Sequence, residues 1–201
     1  MAANPPSNAT QVARILYKEI FAGDLRKIEA KSNDSDTGGG ARDFRFGSYK
    51  QLTKVIKIMF PQVVQEIRKR DGVSKQIDVY KGQFHWKQKG ANVSKDSFFE
   101  PPTDARGSEG RIARVHEYPC FDAKLIPKAG EGNRVLLMLI QRNDGSVWPH
   151  FASESSLRSK GIWDTSVAKA LIECLDAQRP EGRAVIGYRD FTTAESYCNG
   201  K

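Results

Sequence analysis

A continuous apolar run in the second half of the chain constrains the fold most. Residues 135–140 read Val-Leu-Leu-Met-Leu-Ile, with no polar side chain among them. A strand of this length that is apolar at every position has both faces covered by other elements. The run therefore predicts a central strand, followed by a hairpin turn at Asn143-Asp144-Gly145 and a return strand through Val147 and Trp148.

Periodic spacing of apolar residues predicts three helices. The first is expected to begin at Ser7 or Asn8 and to end at Gly23. The second follows Ser48 and stops at Pro61, and the third begins at Asp164 and ends before Pro180. Strands are expected at residues 25–31, 44–46, 77–80, 83–86, 120–126 and 183–191, and residues 62–70 fit either state. This mixture predicts an α+β fold around a curved sheet or open barrel.

Length and composition fit one domain. We expect residues 1–9 to be a disordered leader and residues 10–201 to form the domain, with 141–201 either completing the barrel or forming a C-terminal extension. The three cysteines contain no CxxC pair, so neither a disulfide framework nor a zinc site is indicated. The chain has no run of about 18 apolar residues and no signal sequence, so we expect a cytoplasmic protein without a membrane partner.

The charge favours a polyanionic partner, since 32 Lys and Arg residues stand against 24 Asp and Glu. Residues 32–46 combine three consecutive glycines with two arginines. The glycines let the backbone approach another molecule closely. The alternation Phe44-Arg45-Phe46 places both rings on one face of a strand and Arg45 on the other, beside Asp43. The alternative is an ordinary hairpin loop beside a solvated strand.

Residues 98–114 form a second segment of the same kind, with three arginines among glycine, serine and proline. A lone arginine in a loop is usually just solvated. Three of them, with a glycine-and-arginine loop elsewhere in the chain, favour a clamp on a nucleic-acid duplex.

These two segments give the chain a resemblance to a known family. The pattern Ser-Asn-Asp…Thr-Gly-Gly, then a short strand and a helix ending Met-Phe-Pro, resembles the N-terminal effector domain of EcoRII-type restriction endonucleases. The cluster Arg106, Glu109 and Arg111 resembles an arginine–glutamate–arginine cluster of that family, and the strand at 135–140 is similar to a strand near the end of its domain. The resemblance covers about residues 25–140.

The resemblance implies a DNA-binding pseudobarrel with flanking helices, whose two arms enter the major groove at a short specific site. By position, the arms are residues 32–42 and 104–114. The chain departs from the family where a histidine follows the Thr-Gly-Gly turn, since Gly40-Ala41-Arg42 stands there. Its arginine cluster is also one residue looser. Both differences leave the recognised sequence open.

Chemistry assigns roles within the arms. Arginine pairs bidentately with guanine and glutamate accepts from cytosine, so Arg106, Glu109 and Arg111 are the expected base readers. We expect Arg42, Arg45, Lys50 and Arg114 to contact phosphates. The full predicted DNA-binding set is Asn33, Asp34, Thr37, Arg42, Arg45, Lys50, Arg106, Glu109, Arg111 and Arg114. The protein is then a targeting module of a restriction or phage-defence system, with duplex DNA and a nuclease domain or subunit as partners, and with neither a catalytic residue nor a cofactor of its own.

Two alternatives remain. Asp122-Ala123-Lys124 and Glu29-Ala30-Lys31 each fit the minimal tripeptide of a small PD-(D/E)xK nuclease, which would use Mg²⁺. Stacking of bases on Trp86, Phe98 and Phe99 would instead indicate an RNA or single-strand binding protein. The three histidines, at positions 85, 116 and 150, lack metal-ligand spacing.

Overall fold

A strongly curled sheet organises the chain in the computed structural model, which describes residues 12–29, 43–70, 73–103, 107–127, 133–178 and 182–200. Within these ranges the sheet has ten strands, and four helices accompany it, so the predicted α+β fold with a curved sheet is confirmed. None of the described helices combines the length and the apolar character needed to cross a bilayer.

The strands are β1 (Val12–Glu19), β2 (Phe44–Phe46), β3 (Gln62–Arg70), β4 (Val73–Gln88), β5 (Ala91–Glu100), β6 (Gly110–Ile112), β7 (Val135–Arg142), β8 (Val147–Ser153), β9 (Ile186–Asp190) and β10 (Ser196–Cys198). The helices are α1 (Ala22–Glu29), α2 (Tyr49–Met59), α3 (Glu154–Arg158) and α4 (Thr165–Leu175). The strand order is β10-β9-β1-β7-β8-β4-β5-β6-β2, and β3 pairs with β4 outside this path. Strands β8, β9 and β10 of the last sixty residues therefore belong to the same sheet as the rest.

Two hydrophobic clusters cover opposite faces of the central strands. The inner cluster lies inside the curl, where α2 packs its apolar face. The outer cluster lies between β1, β7 and β8 and the helices α3 and α4. Residues of β7 alternate between the two, with Leu137 and Leu139 in the inner cluster and Leu136, Met138 and Ile140 in the outer one. The prediction of a central strand covered on both faces is confirmed.

Strand β1 corrects the prediction of a first helix. It pairs with β7 on one side and with β9 on the other. Its Leu16 enters the inner cluster, whereas Val12 and Ile15 enter the outer one. Because both faces are buried, the strand lacks polar alternation, and its apolar residues happen to match helical spacing. The predicted cap at Ser7 or Asn8 lies outside the described residues.

Helix α1 corrects the strand expected at residues 25–31. It begins after Phe21, whose backbone N–H donates to Asp24 Oδ2 at 3.2 Å, in the manner of a capping box. Gly23, expected to end a helix, lies in the first turn of this one. The Asp24 carboxylate also accepts from buried Lys18 Nζ, at 3.0 Å to each oxygen, so the new helix is tied to β1.

The structure decides one segment that the sequence left open and corrects the predictions for others. Residues 62–70 form a strand, and the two strands expected at 77–80 and 83–86 are parts of the single strand β4. The strand expected at 120–126 is instead a pair of 3₁₀ turns, Pro119–Phe121 and Ala123–Leu125. The second turn follows Asp122, whose carboxylate accepts from Lys124 N at 2.9 Å. Such side-chain-to-backbone bonding favours a turn over a strand.

A disulfide joins Cys174 of α4 to Cys198 of β10, with the two Cα atoms 5.7 Å apart. The expectation that no disulfide forms is wrong for this pair. The two cysteines are 24 residues apart in sequence, and only the packing of α4 against the outer face brings them together. Disulfides are typical of oxidising compartments, which does not favour the predicted cytoplasmic location. That location stays a prediction. Cys120 is a free, buried thiol.

A buried histidine in β8 makes stability depend on pH. Burial lowers the pKa of His150 to about 4, and the charge of Arg142 acts in the same direction. In the unfolded chain the His150 imidazole binds a proton near pH 6.5, whereas in the folded protein it stays neutral until about pH 4. Because the unfolded state binds this extra proton, we expect His150 to lower the free energy of unfolding by about 2 kcal/mol as the pH falls from ~7 to ~4.5.

Denaturant unfolding at the two pH values measures this effect. His150→Leu should remove that component, whereas His116→Leu, at an exposed position, should keep it. An equal pH dependence in wild type and His150→Leu would contradict the assignment.

Candidate nucleic-acid interface

Arg45 and Arg111 lie side by side on the outer face of the sheet. They are register partners across the antiparallel pair β2–β6. The flanking Phe44 and Phe46 are fully buried, so the strand alternation directs Arg45 outward, and the predicted face assignment is confirmed. About a third of each arginine side chain is exposed. The outer cluster takes no described residue from β2, β4, β5 or β6.

Two buried carboxylates fix the arginine pair. Arg111 Nε donates to Glu100 Oε2 at 2.7 Å, and Arg111 Nη1 donates to Asp43 Oδ2 at 3.0 Å. Arg45 Nε donates to Asp43 Oδ1 at 3.3 Å. The Asp43 and Glu100 side chains are only 3% and 2% exposed, so solvent screens these contacts little. The guanidinium groups are thus held in one orientation.

The two carboxylates stabilise the protonated form of Arg111. Burial alone would lower the pKa of Arg111, but the charges of Glu100 and Asp43 and the hydrogen bonds to them outweigh it and raise the pKa. Arg111 therefore stays cationic at every pH at which the protein is folded. Its side chain can serve as a permanent donor of hydrogen bonds.

Glu109 completes the cluster at its exposed edge. Its carboxylate lies 3.9 Å from Arg45 Nη1, and 41% of the side chain is exposed. Arg45, Glu109 and Arg111 line a small cleft of about 30 Å³ together with Pro101 and Thr103. The structure thus brings together three of the residues predicted to contact DNA.

The described part of the second arm is anchored to the core. Ser108 O accepts from Tyr49 N at 3.1 Å, at the start of α2. Gly110 follows in β6, and a Cβ there would lie 2.5 Å from the Phe99 ring and 2.7 Å from Tyr49. Only glycine allows this close approach. The turn that carries Glu109 is therefore positioned by backbone packing.

Two other predicted site residues lie outside this cluster. Arg114 has a positive φ of 56°, stands over the Phe98 ring at 5.9 Å and lies 3.7 Å from Glu66 of β3. Lys50 is exposed in the first turn of α2. The five remaining residues, Asn33, Asp34, Thr37, Arg42 and Arg106, lie outside the described residues.

Sequence reasoning missed Asp43 and Glu100 as members of the cluster. Asp43 was expected beside Arg45, but nothing in the sequence distinguishes a buried carboxylate from a solvated one. The signal for Glu100 is its position at the end of a strand, one residue before Pro101-Pro102 and across from the arginine segment. That signal becomes readable only once the register of β5 with β6 is known.

The residues of the alternative functions are also placed. Asp122, just before the 3₁₀ turn, and Lys124 within it are exposed, and residues 30 and 31 of the other tripeptide lie outside the described residues. The described residues contain no group of three or more His, Cys, Asp or Glu side chains arranged to hold a metal ion. Phe99 is fully buried in the inner cluster, so it cannot stack on a base, and Trp86 packs against that cluster.

Comparison of the chain with models of protein families, with curated proteins and with solved structures finds no match.

Proposed function

We propose that this protein is a sequence-specific double-stranded DNA-binding domain that acts as an effector or targeting module in a restriction or phage-defence system. The observation that carries the proposal is the arginine pair, Arg45 and Arg111, oriented by two buried carboxylates on an exposed sheet face. The resemblance of the two glycine-and-arginine segments to EcoRII-type effector domains supports the same function.

Orientation is what base reading requires of an arginine. The planar guanidinium pairs bidentately with guanine O6 and N7 when its plane is held in register with the base edge. Asp43 and Glu100 supply that support, because Glu100 Oε2 contacts Nε and Nη2 of Arg111 and Asp43 Oδ2 accepts from its Nη1. The second N–H of each Nη then remains for a base edge. Glu109 stands at the exposed edge, where a carboxylate can accept from cytosine N4.

The local charge argues that this cluster provides specificity more than affinity. Arg45 and Arg111 are opposed by Asp43, Glu100 and Glu109, which gives a formal charge of −1. A phosphate backbone is not attracted to such a site. The attraction must come from cations elsewhere in a chain of formal charge +8, for which exposed Lys50 and Arg114 are candidates.

Selection from a randomised duplex library at roughly physiological salt tests the proposal. Wild type should enrich a short motif. Arg45, expected from the sequence to contact phosphate, is assigned to base reading in this proposal because it is held beside Arg111 by the same carboxylate. Arg45→Lys and Arg111→Lys keep the charge but lose the planar fork, so each should lower discrimination at one position of the motif by about tenfold or more, with little change in salt dependence.

Lys50→Ala is the matched variant for phosphate contact. It should weaken binding about equally on all sequences and reduce the slope of log affinity against log salt by about 1. Enrichment of the same motif with unchanged discrimination by both arginine variants would show that the bases are read elsewhere. Retention without enrichment would leave a non-specific binder, and no retention would refute DNA binding.

A further inference from the structure

Strand β4 runs well past its neighbour β5 and forms a two-stranded ribbon with β3. Its pairing with β5 covers Tyr80 to Gln88, whereas its pairing with β3 covers Val73 to Lys81. Residues 73–79 therefore have β3 as their only partner among the described strands. We call β3 together with residues 73–79 the β3–β4 ribbon. At about 3.3 Å per residue, its paired part extends about 23 Å beyond the last pair of β4 with β5.

Most described side chains of this ribbon face solvent. The exposed ones are Gln62, Val63, Gln65 and Ile67 on β3 and Ser74, Lys75, Gln76 and Asp78 on β4. A major groove of DNA is wide enough to admit a two-stranded ribbon, and several DNA-binding proteins use one in this way. The shape of the β3–β4 ribbon is therefore compatible with contact to a duplex.

An aromatic pair fixes which face of the ribbon is which. Tyr80 and Phe99 are register partners, and both pack with the inner cluster. Successive side chains of a strand point to opposite faces. Glu100, the residue after Phe99, therefore lies on the outer face, where it binds Arg111. Val79, the residue before Tyr80, lies on the same face. The ribbon thus begins beside the arginine cluster.

The same alternation places basic positions on the outer face of the ribbon. Lys75 is four residues from Val79, and its register partner is Arg68. Two positions further along, Arg70 pairs with Val73. These basic positions are about 13–20 Å along the ribbon from the level of Val79. They lie on the face that carries the arginine cluster.

The end of the ribbon carries the positive charge that the arginine cluster lacks. Residues 67–76 contain four basic side chains and one carboxylate, which gives a formal charge of +3. Arg114, itself predicted to contact phosphate, lies 3.7 Å from Glu66 of the ribbon. A phosphate backbone is therefore attracted to this part of the protein more than to the cluster, whose formal charge is −1.

We propose that the basic end of the β3–β4 ribbon binds the phosphate backbone of duplex DNA beside the bases that the arginine cluster reads. This inference rests on the proposed function and divides it, with affinity assigned to the ribbon and discrimination to the cluster. The offset of 13–20 Å exceeds the width of the major groove, which is about 12 Å. The basic positions therefore reach phosphates that flank the groove occupied by the cluster.

The inner face of the ribbon offers a competing explanation. Val63 pairs with Tyr80, so Val63 and Ile67 lie on the side away from the arginine cluster. Their exposed fractions are 60% and 76%. A strand edge with exposed apolar side chains is also a template for pairing with a second copy of the chain. The experiment must therefore separate DNA contact from self-association.

The salt dependence of duplex binding tests the inference. The double variant Arg68→Gln/Lys75→Gln removes both charges of one register pair on the outer face. Because each phosphate contact contributes about 0.9 to the slope of log affinity against log salt, the slope should fall by about 2. Binding should weaken equally on the selected motif and on an unrelated duplex, and the same motif should be enriched.

Two control variants accompany it, each with an unchanged thermal midpoint as evidence of folding. Lys87→Gln/Lys89→Gln removes the same charge at exposed positions at the opposite end of β4, and should leave the slope within about 0.5 of wild type. Ile67→Thr changes the inner face of the ribbon without changing its charge, and should leave both affinity and slope unchanged.

The outcomes separate this inference from the proposed function. An unchanged slope in the ribbon double variant, with motif enrichment by wild type, would overturn the inference and leave the proposed function intact. A reduced slope with no motif enrichment by wild type would support the ribbon contact while base reading fails. No duplex binding by wild type would overturn both. Loss of binding in Ile67→Thr, together with loss of a dimer in sedimentation equilibrium, would assign the ribbon to self-association and overturn the inference.

Discussion

Arg111→Met is expected to lower the free energy of unfolding by about 3 kcal/mol. The change removes the guanidinium from two carboxylates whose side chains are 2% and 3% exposed, and loss of one partner from a buried ion pair costs about 3–5 kcal/mol. The partial exposure of Arg111 places the expected value at the lower end of that range. Denaturant unfolding at neutral pH measures it.

Matched variants separate charge from packing at this position. Arg111→Lys keeps a cation beside Glu100 and Asp43 and should cost about 1 kcal/mol. Arg45→Met removes a longer contact and leaves Asp43 paired with Arg111, so it should cost less than about 1 kcal/mol. If Arg111→Met lowers the free energy of unfolding by less than about 1 kcal/mol, other groups satisfy the two carboxylates. Arg111 would then contribute to ligand binding and not to stability.

Gly187→Ala is expected to destabilise the protein by about 3 kcal/mol, at the upper end of the cost of overpacking. A Cβ at this position of β9 would lie closer to the Tyr197 carbonyl oxygen of β10 than real Cβ atoms approach, and 2.5 Å from the Tyr17 hydroxyl oxygen. The carbonyl belongs to the backbone of a paired strand, so β9 and β10 would have to separate.

Gly107→Ala is the control for this prediction, because a Cβ there meets nothing within 4 Å. It should change stability by less than about 0.5 kcal/mol. Thermal or denaturant unfolding of both variants gives the comparison. A Gly187→Ala variant as stable as Gly107→Ala would show that the contact between β9 and β10 yields easily.

The sequence predicted elements whose pattern comes from one buried face or from a continuous apolar run. Strand β7 and the turn at residues 143–145 are examples, since an uninterrupted apolar run and an Asn-Asp-Gly turn are each local signals. Helix α4 begins at Asp164 as expected, because the carboxylate caps the N–H groups of Ser166 and Val167.

Local patterns were misleading where tertiary burial decides the state. Strand β1 is covered on both faces, so its apolar positions carry no period of two. The strand predicted at residues 25–31 is wrong because only the first turn of helix α1 carries a capping signal. The disulfide could not be predicted from the sequence, because Cys174 and Cys198 are 24 residues apart and belong to no recognisable cysteine motif.

The candidate interface was predicted in part for the same reason. Alternation along the chain indicated the outward direction of Arg45, and glycine and arginine content indicated the second segment. The pairing of Arg45 with Arg111 depends on a register between strands more than sixty residues apart, which no local pattern contains. Glu100 joins the cluster through the register of β5 with β6, and Asp43, already beside Arg45, reaches Arg111 through the register of β2 with β6.

The position of β1 has a consequence for how the chain reaches this fold. Its ladder partners are β7 and β9, so Arg14 contacts Asp190 across a separation of 176 residues. Such contacts give the fold a high contact order, and their loop-closure entropy is lost before any pairing energy returns. During synthesis on the ribosome, β1 emerges long before β9, so one edge of β1 stays unpaired until β9 follows.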